Sequence, residues 1–241
     1  IDDFLSPEYR EGIDQQDNEV LLLENIRFYP GEESNDPSLA QKLAVLADIY
    51  VNDAFSVDHR AAASVVAITH FLPSYCGLLL SREITMLDAA IKHPKKPVVA
   101  ILGGSKISTK LRLIDTLIKV ADVVLIGGGL ANNFLLAKGL AIGRSIIEKN
   151  EIVHTKHLIA HAQKHGTKLL FPSDVVVSTD KDAKNGTVRA VTEIGPNEAV
   201  FDIGPHTQAA FGTEIAKART ILWNGPVGYF ENPAFKRGTD F

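Results

Sequence analysis

Two lysines close behind a pair of glycines, in the segment GGSKISTK at residues 103–110, have a spacing suited to phosphate binding. Lys106 and Lys110 lie four residues apart, so both ammonium groups would share one face of a first helical turn and could meet the same polyphosphate. Gly103 and Gly104 let the backbone approach a ligand, and the N-terminus of the helix that follows offers free N–H groups. The alternative is a tight strand-to-helix turn with solvated lysines.

Two more glycine turns follow apolar runs that predict strands. Three adjacent glycines, Gly127, Gly128 and Gly129, leave a flat surface on which a planar base could lie, although a purely structural turn accounts for them equally well. In the third turn, NGPVGYFE, the Asn224 amide suits phosphate and the Glu231 carboxylate suits ribose hydroxyls. Ligands of open α/β sheets bind at the carboxyl ends of strands, so the three turns predict one nucleotide site. The spacing matches neither a Walker A loop nor the G-x-G-x-x-G fingerprint.

Two arginines in the first half of the chain could bind an anion of another kind. Arg27 lies near the end of the predicted strand segment LLLENIRF, and Arg60 lies in DHRA after the segment IYVN, so both would project from strand ends. A pair of guanidinium forks suits carboxylate or phosphate oxygens, whereas arginines paired with surface acids would be structural. Asn52 and Asp53, which end the IYVN segment and begin the loop after it, are expected to fix that loop rather than to do chemistry.

Four histidines, at positions 154, 157, 161 and 165, recur near helical spacing. His157 and His161, four residues apart, could in principle hold zinc. No carboxylate is placed as a third ligand, and a solvated helix face explains the pattern. The sequence therefore predicts no metal ligands in this chain.

The composition excludes several classes of protein. The 241 residues, 45% hydrophobic and 22% charged, can form one large domain or two small ones. The net charge of −4 gives no general attraction to nucleic acid or to anionic membranes, so we expect neither as a partner. A single cysteine, Cys76, excludes an internal disulfide and fits a reducing compartment such as the cytoplasm. The longest apolar runs are far shorter than the roughly 20 residues of a membrane span.

Short apolar segments alternate with amphipathic ones, which predicts an α/β fold with a doubly wound parallel sheet covered by helices on both faces. The predicted strands are residues 20–28, 49–51, 98–102, 123–126, 168–171, 175–177, 188–192, 199–203 and 220–223. The predicted helices are residues 37–47, 81–91, 108–120, 131–137, 147–165 and 207–218.

The proline-marked stretch HPKKP, at residues 93–97, is the predicted domain boundary. We expect a first domain over residues 1–75, a connecting helix and linker over residues 76–96, and a second domain over residues 97–241. The chain begins without methionine and stops just after a Gly-Thr pair typical of a domain interior, so we expect a fragment.

The motifs NDAFSVDHRA, GGSKISTK and WNGPVGYFE, together with LLLENIRFYPGEE and DIGP, resemble phosphoglycerate kinase in order and spacing over residues 20–239. The resemblance implies two doubly wound (Rossmann-like) domains, here a partial N-terminal phosphoglycerate-binding domain and most of the nucleotide-binding C-terminal domain. It implies reversible phosphoryl transfer between 1,3-bisphosphoglycerate and ADP, giving 3-phosphoglycerate and ATP in glycolysis. The expected protein is a cytoplasmic monomer that uses Mg2+ with ATP or ADP.

The resemblance also implies roles for single residues. Arg27 and Arg60 would hold the phosphoglycerate, with His59 in the surrounding basic patch, and would form the catalytic set with Lys106 and Lys110. Asn224 would reach phosphate and Glu231 the ribose. The implied nucleotide site comprises Gly103, Gly104, Ser105, Lys106, Lys110, Gly127, Gly128, Gly129, Phe201, Asn224, Gly225, Pro226, Tyr229 and Glu231.

The sequence departs from the family pattern at several positions. Ala62 replaces a second histidine of the basic patch, and Thr109 stands where many members have an aspartate near the metal. Ser105, Phe201 and Tyr229 replace smaller or less polar residues at the nucleotide pocket. The DFNVP, HLGRP and GGGDS/T motifs are absent, so half of the phosphoglycerate site and the main metal ligand are expected outside this chain.

Two other functions are compatible with parts of this pattern. One is a nucleotide-binding fragment or pseudoenzyme that binds ADP and transfers nothing. The other is a dinucleotide-dependent dehydrogenase, suggested by the glycine turns alone and lacking the fingerprint spacing.

Overall fold

The computed structural model describes residue 20 and residues 22–241. The chain forms two compact units, Ile1–Ala89 and Ala90–Phe241. The division falls within a long helix, Leu78–Lys92, which lies in the segment predicted as the interdomain connection. The predicted limits of the domains themselves remain a proposal.

The first unit is a small α/β assembly. Helix α1, Pro37–Ala44, begins with proline at its first position, and the Asp36 carboxylate accepts a hydrogen bond from the Ser38 N–H at 2.8 Å. Strands β1, Tyr50–Asn52, and β2, Ser74–Cys76, pair in parallel. Helix α2, Leu78–Lys92, follows β2. Short 3-10 helices form at Ile26–Phe28, Phe55–Val57 and Ala67–His70.

Two strand predictions fail in this unit. The strand predicted over residues 20–28 is wrong over its described part, since residues 22–25 are irregular and Ile26–Phe28 is a 3-10 helix. A strand needs a hydrogen-bonded neighbour, and no described strand pairs with residues 22–28. Leu23, on irregular backbone, and Ile26, on the 3-10 helix, instead pack against the core of this unit. Strand β2 was not predicted because all three of its residues are exposed and carry no apolar alternation.

A four-stranded parallel sheet organises the second unit, in the order β5-β4-β3-β9. Strand β3 is Val98–Leu102, β4 is Val123–Ile126, β5 is Lys168–Leu170 and β9 is Thr220–Asn224. This unit has four longer helices, α3, Leu111–Val120, α4, Gly128–Ala137, α5, Ile152–His165, and α6, Pro205–Ile215, and a short one, α7, Arg237–Asp240.

Both faces of this sheet are covered, as the apolar runs predict. Val98, Ala100 and Leu102 of β3 point into a core shared with α3, α4 and α5. Val99 and Ile101 point the other way, into a core shared with α6. Successive side chains of a strand alternate between faces, so a strand between two cores must be apolar throughout. This arrangement is the doubly wound fold expected from the sequence.

A second sheet was not foreseen. Strands β6, Asp174–Ser178, β7, Thr187–Ala190, and β8, Ala199–Ile203, pair antiparallel in the order β7-β6-β8, whereas a wholly parallel arrangement was predicted. Strands β6 and β7 are neighbours joined by residues 179–186, a connection shorter than the dozen or so residues that a parallel crossover needs, so this pair must be antiparallel.

Several predicted bounds need adjustment. The bounds of β3, β4 and β8 coincide with the prediction, whereas five helices begin elsewhere: α2 at Leu78, α3 at Leu111, α4 at Gly128, α5 at Ile152 and α6 at Pro205. Short 3-10 turns, Ser108–Lys110 and Lys149–Glu151, precede α3 and α5. Across the described residues, no helix combines the length and apolar character needed to cross a membrane.

A buried carboxylate joins β8 to the last described residues. Asp202 is 2% exposed and accepts hydrogen bonds from the Gly238 N–H at 2.7 Å and from the Ile203 N–H at 2.9 Å. Side chains at Gly228 and Gly238 would collide with this carboxylate. Burial raises the pKa of Asp202 to about 6, against the opposing effect of its two N–H donors.

We expect the Asp202 carboxyl carbon to titrate near pH 6 in an NMR experiment, well above the ordinary aspartate pKa of 3.8. Between these values the native state binds more protons than the unfolded state, so this group's contribution to the free energy of unfolding falls as pH rises. Buried Asp174 is an internal control. Burial would raise its pKa too, but hydrogen bonds from Thr207 and His206 outweigh burial and lower it. A midpoint for Asp202 below pH 4.5 would contradict this account.

Candidate functional site

The turns after β3, β4 and β9 touch one another at one edge of the parallel sheet. The Gly104 N–H donates to the Pro226 carbonyl at 2.8 Å, and the Gly128 N–H donates to the Val227 carbonyl at 2.8 Å. The Leu130 N–H donates to the Gly104 carbonyl at 2.9 Å. The three turns that the sequence placed at a common sheet edge therefore form one continuous surface.

The glycines in these turns are explained first by close packing. A side chain at Gly103 would collide with the Pro226 carbonyl, and one at Gly127 would press on Val227. Gly128 has φ +60°, which favours glycine, and its missing side chain faces backbone of the neighbouring turns. Direct contacts thus support the structural interpretation of the triple glycine. The interpretation that a base binds there remains a proposal.

Lys110 lies at the centre of this surface. Its ammonium group donates to the Gly103 carbonyl at 2.8 Å and to the Asn224 side-chain oxygen at 2.5 Å. The side chain is half-buried, and burial lowers the pKa of its ammonium group. Two residues that the sequence assigned to phosphate, 114 positions apart, are therefore in direct contact.

Lys106 is placed differently from the expectation. It lies before the 3-10 turn Ser108–Lys110 and before α3, so Lys106 and Lys110 do not share a first helical turn as predicted. Lys106 and Ser105 are both exposed. The Thr109 hydroxyl donates to the Lys106 carbonyl at 3.0 Å, which fixes the backbone behind the lysine.

An aromatic group lies beside the third turn. Phe201 stacks on Phe235 with ring centroids 4.7 Å apart, and the Tyr229 ring lies 6.1 Å from Phe201. The Tyr229 N–H donates to the Phe201 carbonyl at 2.7 Å, and Glu231, two residues on, is exposed. The structure therefore brings Phe201 and Tyr229 together but records no partner for Glu231 among the described residues.

Residues that the sequence did not single out line an open cavity of about 410 Å³ at the same turn. They are Trp223, Phe230 and Thr239, together with the expected Gly225 and Pro226. The Trp223 ring N–H donates to the Gly225 carbonyl at 2.7 Å, and 55% of this residue is exposed. Sequence reasoning misses Trp223 because an apolar residue at a strand end gives no signal of its exposure.

The first unit holds a separate cavity of about 440 Å³, which both candidate arginines line. Arg27 lies on a 3-10 helix and Arg60 in a turn, so the prediction that they project from strand ends is wrong. Within residues 22–241, no ion pair joins either guanidinium to a carboxylate, which removes the structural alternative over that part of the chain. His59 is exposed and is not among the lining residues recorded for this cavity.

Two polar residues of this unit do fix the loop as expected. Asn52 donates from its amide to Asp58 at 2.6 Å and accepts from the Ala54 N–H at 3.0 Å. Asp53 accepts from the Leu80 N–H at 2.8 Å, in the first turn of α2.

The described part of the chain holds no group of three or more His, Cys, Asp or Glu side chains placed to bind a metal ion. His161 contacts Asp115 at 2.8 Å and His154 contacts Glu151 at 2.7 Å, so two of the four histidines of α5 have carboxylate partners. Thr109, at the position where an aspartate was expected, contacts backbone instead.

Comparison with known proteins agrees with the resemblance in the motifs. A sequence model of the family described as "Phosphoglycerate kinase" matches residues 1–241. The phosphoglycerate kinase of Maricaulis maris is 47% identical over 228 residues, which cover 94% of this chain and 57% of that protein. The "Phosphoglycerate kinase, chloroplastic" of Volvox carteri is 45% identical and is matched over 52% of its length. The chain thus spans little more than half of these relatives.

Solved structures give the same result. Phosphoglycerate kinase from Pyrococcus horikoshii superposes with a TM-score of 0.85 at 30% identity, over 99% of this chain and 62% of that one. The enzyme from Coxiella burnetii gives a TM-score of 0.77 at 40% identity, over 90% of this chain and 56% of that one. In sequence over its whole length and in fold, this chain belongs to the phosphoglycerate kinase family.

Proposed function

We propose that this chain binds ADP or ATP at the three joined turns and serves as the larger part of a phosphoglycerate kinase. The reaction would move a phosphoryl group between 1,3-bisphosphoglycerate and ADP, giving 3-phosphoglycerate and ATP in glycolysis. The observation that carries the proposal is the Lys110 ammonium, half-buried and held on oxygens of two different turns. Family membership supports a kinase, and because the chain spans 57% of its Maricaulis relative, the full reaction is part of the proposal.

In the nucleotide site, Lys110 would exchange its bonds to protein oxygens for bonds to phosphate oxygens. A partly buried ammonium with only neutral acceptors gains more from an anionic ligand than a solvated one does. Lys106 and Asn224 would add further phosphate contacts. The proposed pocket for base and ribose comprises Gly103, Gly104, Ser105, Gly127, Gly128, Gly129, Phe201, Gly225, Pro226, Tyr229 and Glu231.

In the first unit, the cavity lined by Arg27 and Arg60 would take the phosphoglycerate. Two guanidinium forks without carboxylate partners in the described chain can bind the carboxylate and phosphate oxygens of such a ligand bidentately. His59 would add charge near this cavity.

The protein would do little covalent chemistry in this reaction. Phosphoryl transfer depends on positioning and on positive charge that neutralises the oxygens of the group in transit. Lys106, Lys110, Arg27 and Arg60 would supply this charge. Mg2+ would enter with the nucleotide phosphates, as it usually does at kinase sites.

We expect the unaltered chain to bind ADP in a calorimetric titration and Lys110→Ala to weaken that binding about tenfold or more. The reason is the loss of charge-assisted hydrogen bonds to phosphate. Lys119→Ala is a matched control, since Lys119 pairs with Asp115 at the surface of α3, and we expect its ADP affinity to stay within about twofold. Equal weakening in both variants, or a drop in melting temperature large enough to account for the loss, would contradict the role of Lys110.

For the phosphoglycerate site, Arg60→Ala should weaken binding of 3-phosphoglycerate by about tenfold, because one of two guanidinium forks is removed. The measurement is calorimetric titration with 3-phosphoglycerate. The control is Arg82→Ala, an exposed arginine of α2 that does not line the cavity. Unchanged affinity in Arg60→Ala would place the ligand elsewhere.

A second candidate function is nucleotide binding without transfer. It needs only the surface that the three joined turns form, and the described residues supply that surface. A coupled assay that follows ATP consumption with 3-phosphoglycerate separates the two. Turnover that Lys110→Ala abolishes selects the kinase, whereas ADP binding with no turnover selects the binding protein.

The remaining expectations also belong to this proposal. The protein would be a cytoplasmic monomer with small-molecule partners and with neither nucleic acid nor membrane as a partner. The net charge of −4 supports the last two points. A relative from Volvox carteri is named as chloroplastic, so the compartment differs within the family.

A further inference from the structure

The short segment of residues 104–108, which carries Lys106, is held at its first end by the joined turns. The Gly104 N–H donates to the Pro226 carbonyl, and the Gly104 carbonyl accepts from the Leu130 N–H, at 2.8 and 2.9 Å. Between the two ends, the Ile107 side chain is fully buried in the core beneath the sheet. The exposed lysine therefore lies on a backbone with little freedom on this side.

The second end of the segment is held by a glutamate 40 positions further along the chain. One Glu148 carboxylate oxygen accepts from the Ser108 N–H at 2.9 Å, and the other accepts from the Ser108 hydroxyl at 2.7 Å. The Ser108 N–H, followed by its hydroxyl, holds the pKa of the Glu148 carboxyl below its usual value. Glu148 thus binds Ser108 in its ionised form, in a two-point contact.

Glu148 is itself fixed by a buried amide. Asn133 is 1% exposed, donates from its side chain to the Glu148 carbonyl at 2.9 Å and accepts from the Glu148 N–H at 3.2 Å. Asn133 belongs to α4, the helix that begins in the triple-glycine turn. Ser108 is thus bonded to Glu148, and Glu148 to Asn133 of α4. Because Leu130 of α4 bonds the Gly104 carbonyl, both ends of the lysine-bearing segment are tied to α4.

We propose that Glu148 is a positioning residue for Lys106 and Lys110 in nucleotide binding, an inference that rests on the function proposed above. Glu148 holds Ser108, which lies two residues from each lysine, and so sets where both ammonium groups meet the phosphates. No direct contact between Glu148 and the nucleotide is part of the inference. Preorganised cations bind a polyphosphate more tightly because less conformational entropy is lost on binding.

The test compares three variants by titration with ADP and with adenosine. Glu148→Ala removes both bonds to Ser108, and we expect ADP binding to weaken about tenfold. Glu148→Gln keeps the shape, since an amide can accept from the N–H and donate to the hydroxyl, and it should stay within about twofold. Glu214→Ala is the matched control, because Glu214 is a carboxylate on α6 that pairs with Lys168 and should not affect ADP.

A parallel titration with adenosine distinguishes a loss of lysine positioning from a general loosening of the nucleotide site. It carries no phosphate, so its affinity should change less than about twofold in Glu148→Ala if the loss occurs at the lysines. Weakening of ADP and adenosine by the same factor would overturn the inference. Hydrogen exchange of the free protein gives a second reading: the Lys110 amide, bonded to the Ile107 carbonyl at 2.9 Å, should exchange faster in Glu148→Ala than in Glu214→Ala.

These measurements distinguish failure of the proposed function from failure of the positioning role of Glu148. If the unaltered chain binds no ADP, the proposed function fails and the inference fails with it. If the unaltered chain binds ADP and Glu148→Ala binds it as tightly as Glu214→Ala, only the inference fails. Unchanged exchange at Lys110 in Glu148→Ala likewise overturns the positioning role.

Discussion

The direct packing of three turns against one another is the constraint on which the nucleotide side of this protein depends. Gly103, Gly104 and Gly128 bring their backbone N–H groups onto carbonyls of residues 224–227. A side chain at Gly103 or Gly128 would collide with backbone, and Gly104 has φ +100°, so the glycines are required before any ligand is considered. A site built on such turns has its geometry set by the sheet beneath it.

Packing against two hydrophobic cores, one on each face, fixes the position of that sheet. Strands β3 and β4 are buried at every residue and alternate between the core under α3, α4 and α5 and the core under α6. A displacement of either strand would disturb packing on both faces. Lys110 and Asn224 meet because the strands before them are registered side by side, with Leu102 opposite Asn224 at the ends of β3 and β9. Their contact is thus a consequence of strand register.

The sequence allowed parts of this structure to be predicted and hid others. Strands β3 and β4 were placed correctly because continuous apolar runs end at glycine turns, and β8 because an apolar segment interrupted only by Asp202 ends at Gly204. The start of α3 was misplaced because the 3-10 turn Ser108–Lys110 has the same residue types as a first α-helical turn. The antiparallel sheet was missed because an apolar strand does not reveal the direction of its neighbour. Lys110 and Asn224 could be recognised by type, but the roles of Glu148 and Asn133 depend on contacts between distant positions, for which local spacing gives no signal.

The electrostatic state of Lys110 explains why this surface suits an anion. Its ammonium group is surrounded by the Gly103 carbonyl and the Asn224 amide oxygen, and within the described residues it forms no ion pair. Neutral dipoles satisfy its hydrogens but leave its charge uncompensated, and burial accordingly lowers its pKa. An anion placed against this group would supply the missing compensation and raise the pKa again, so part of the binding free energy comes from relieving a cost already present in the free protein. A lysine fully paired with a carboxylate would offer no such gain, because the ligand would first have to displace its partner.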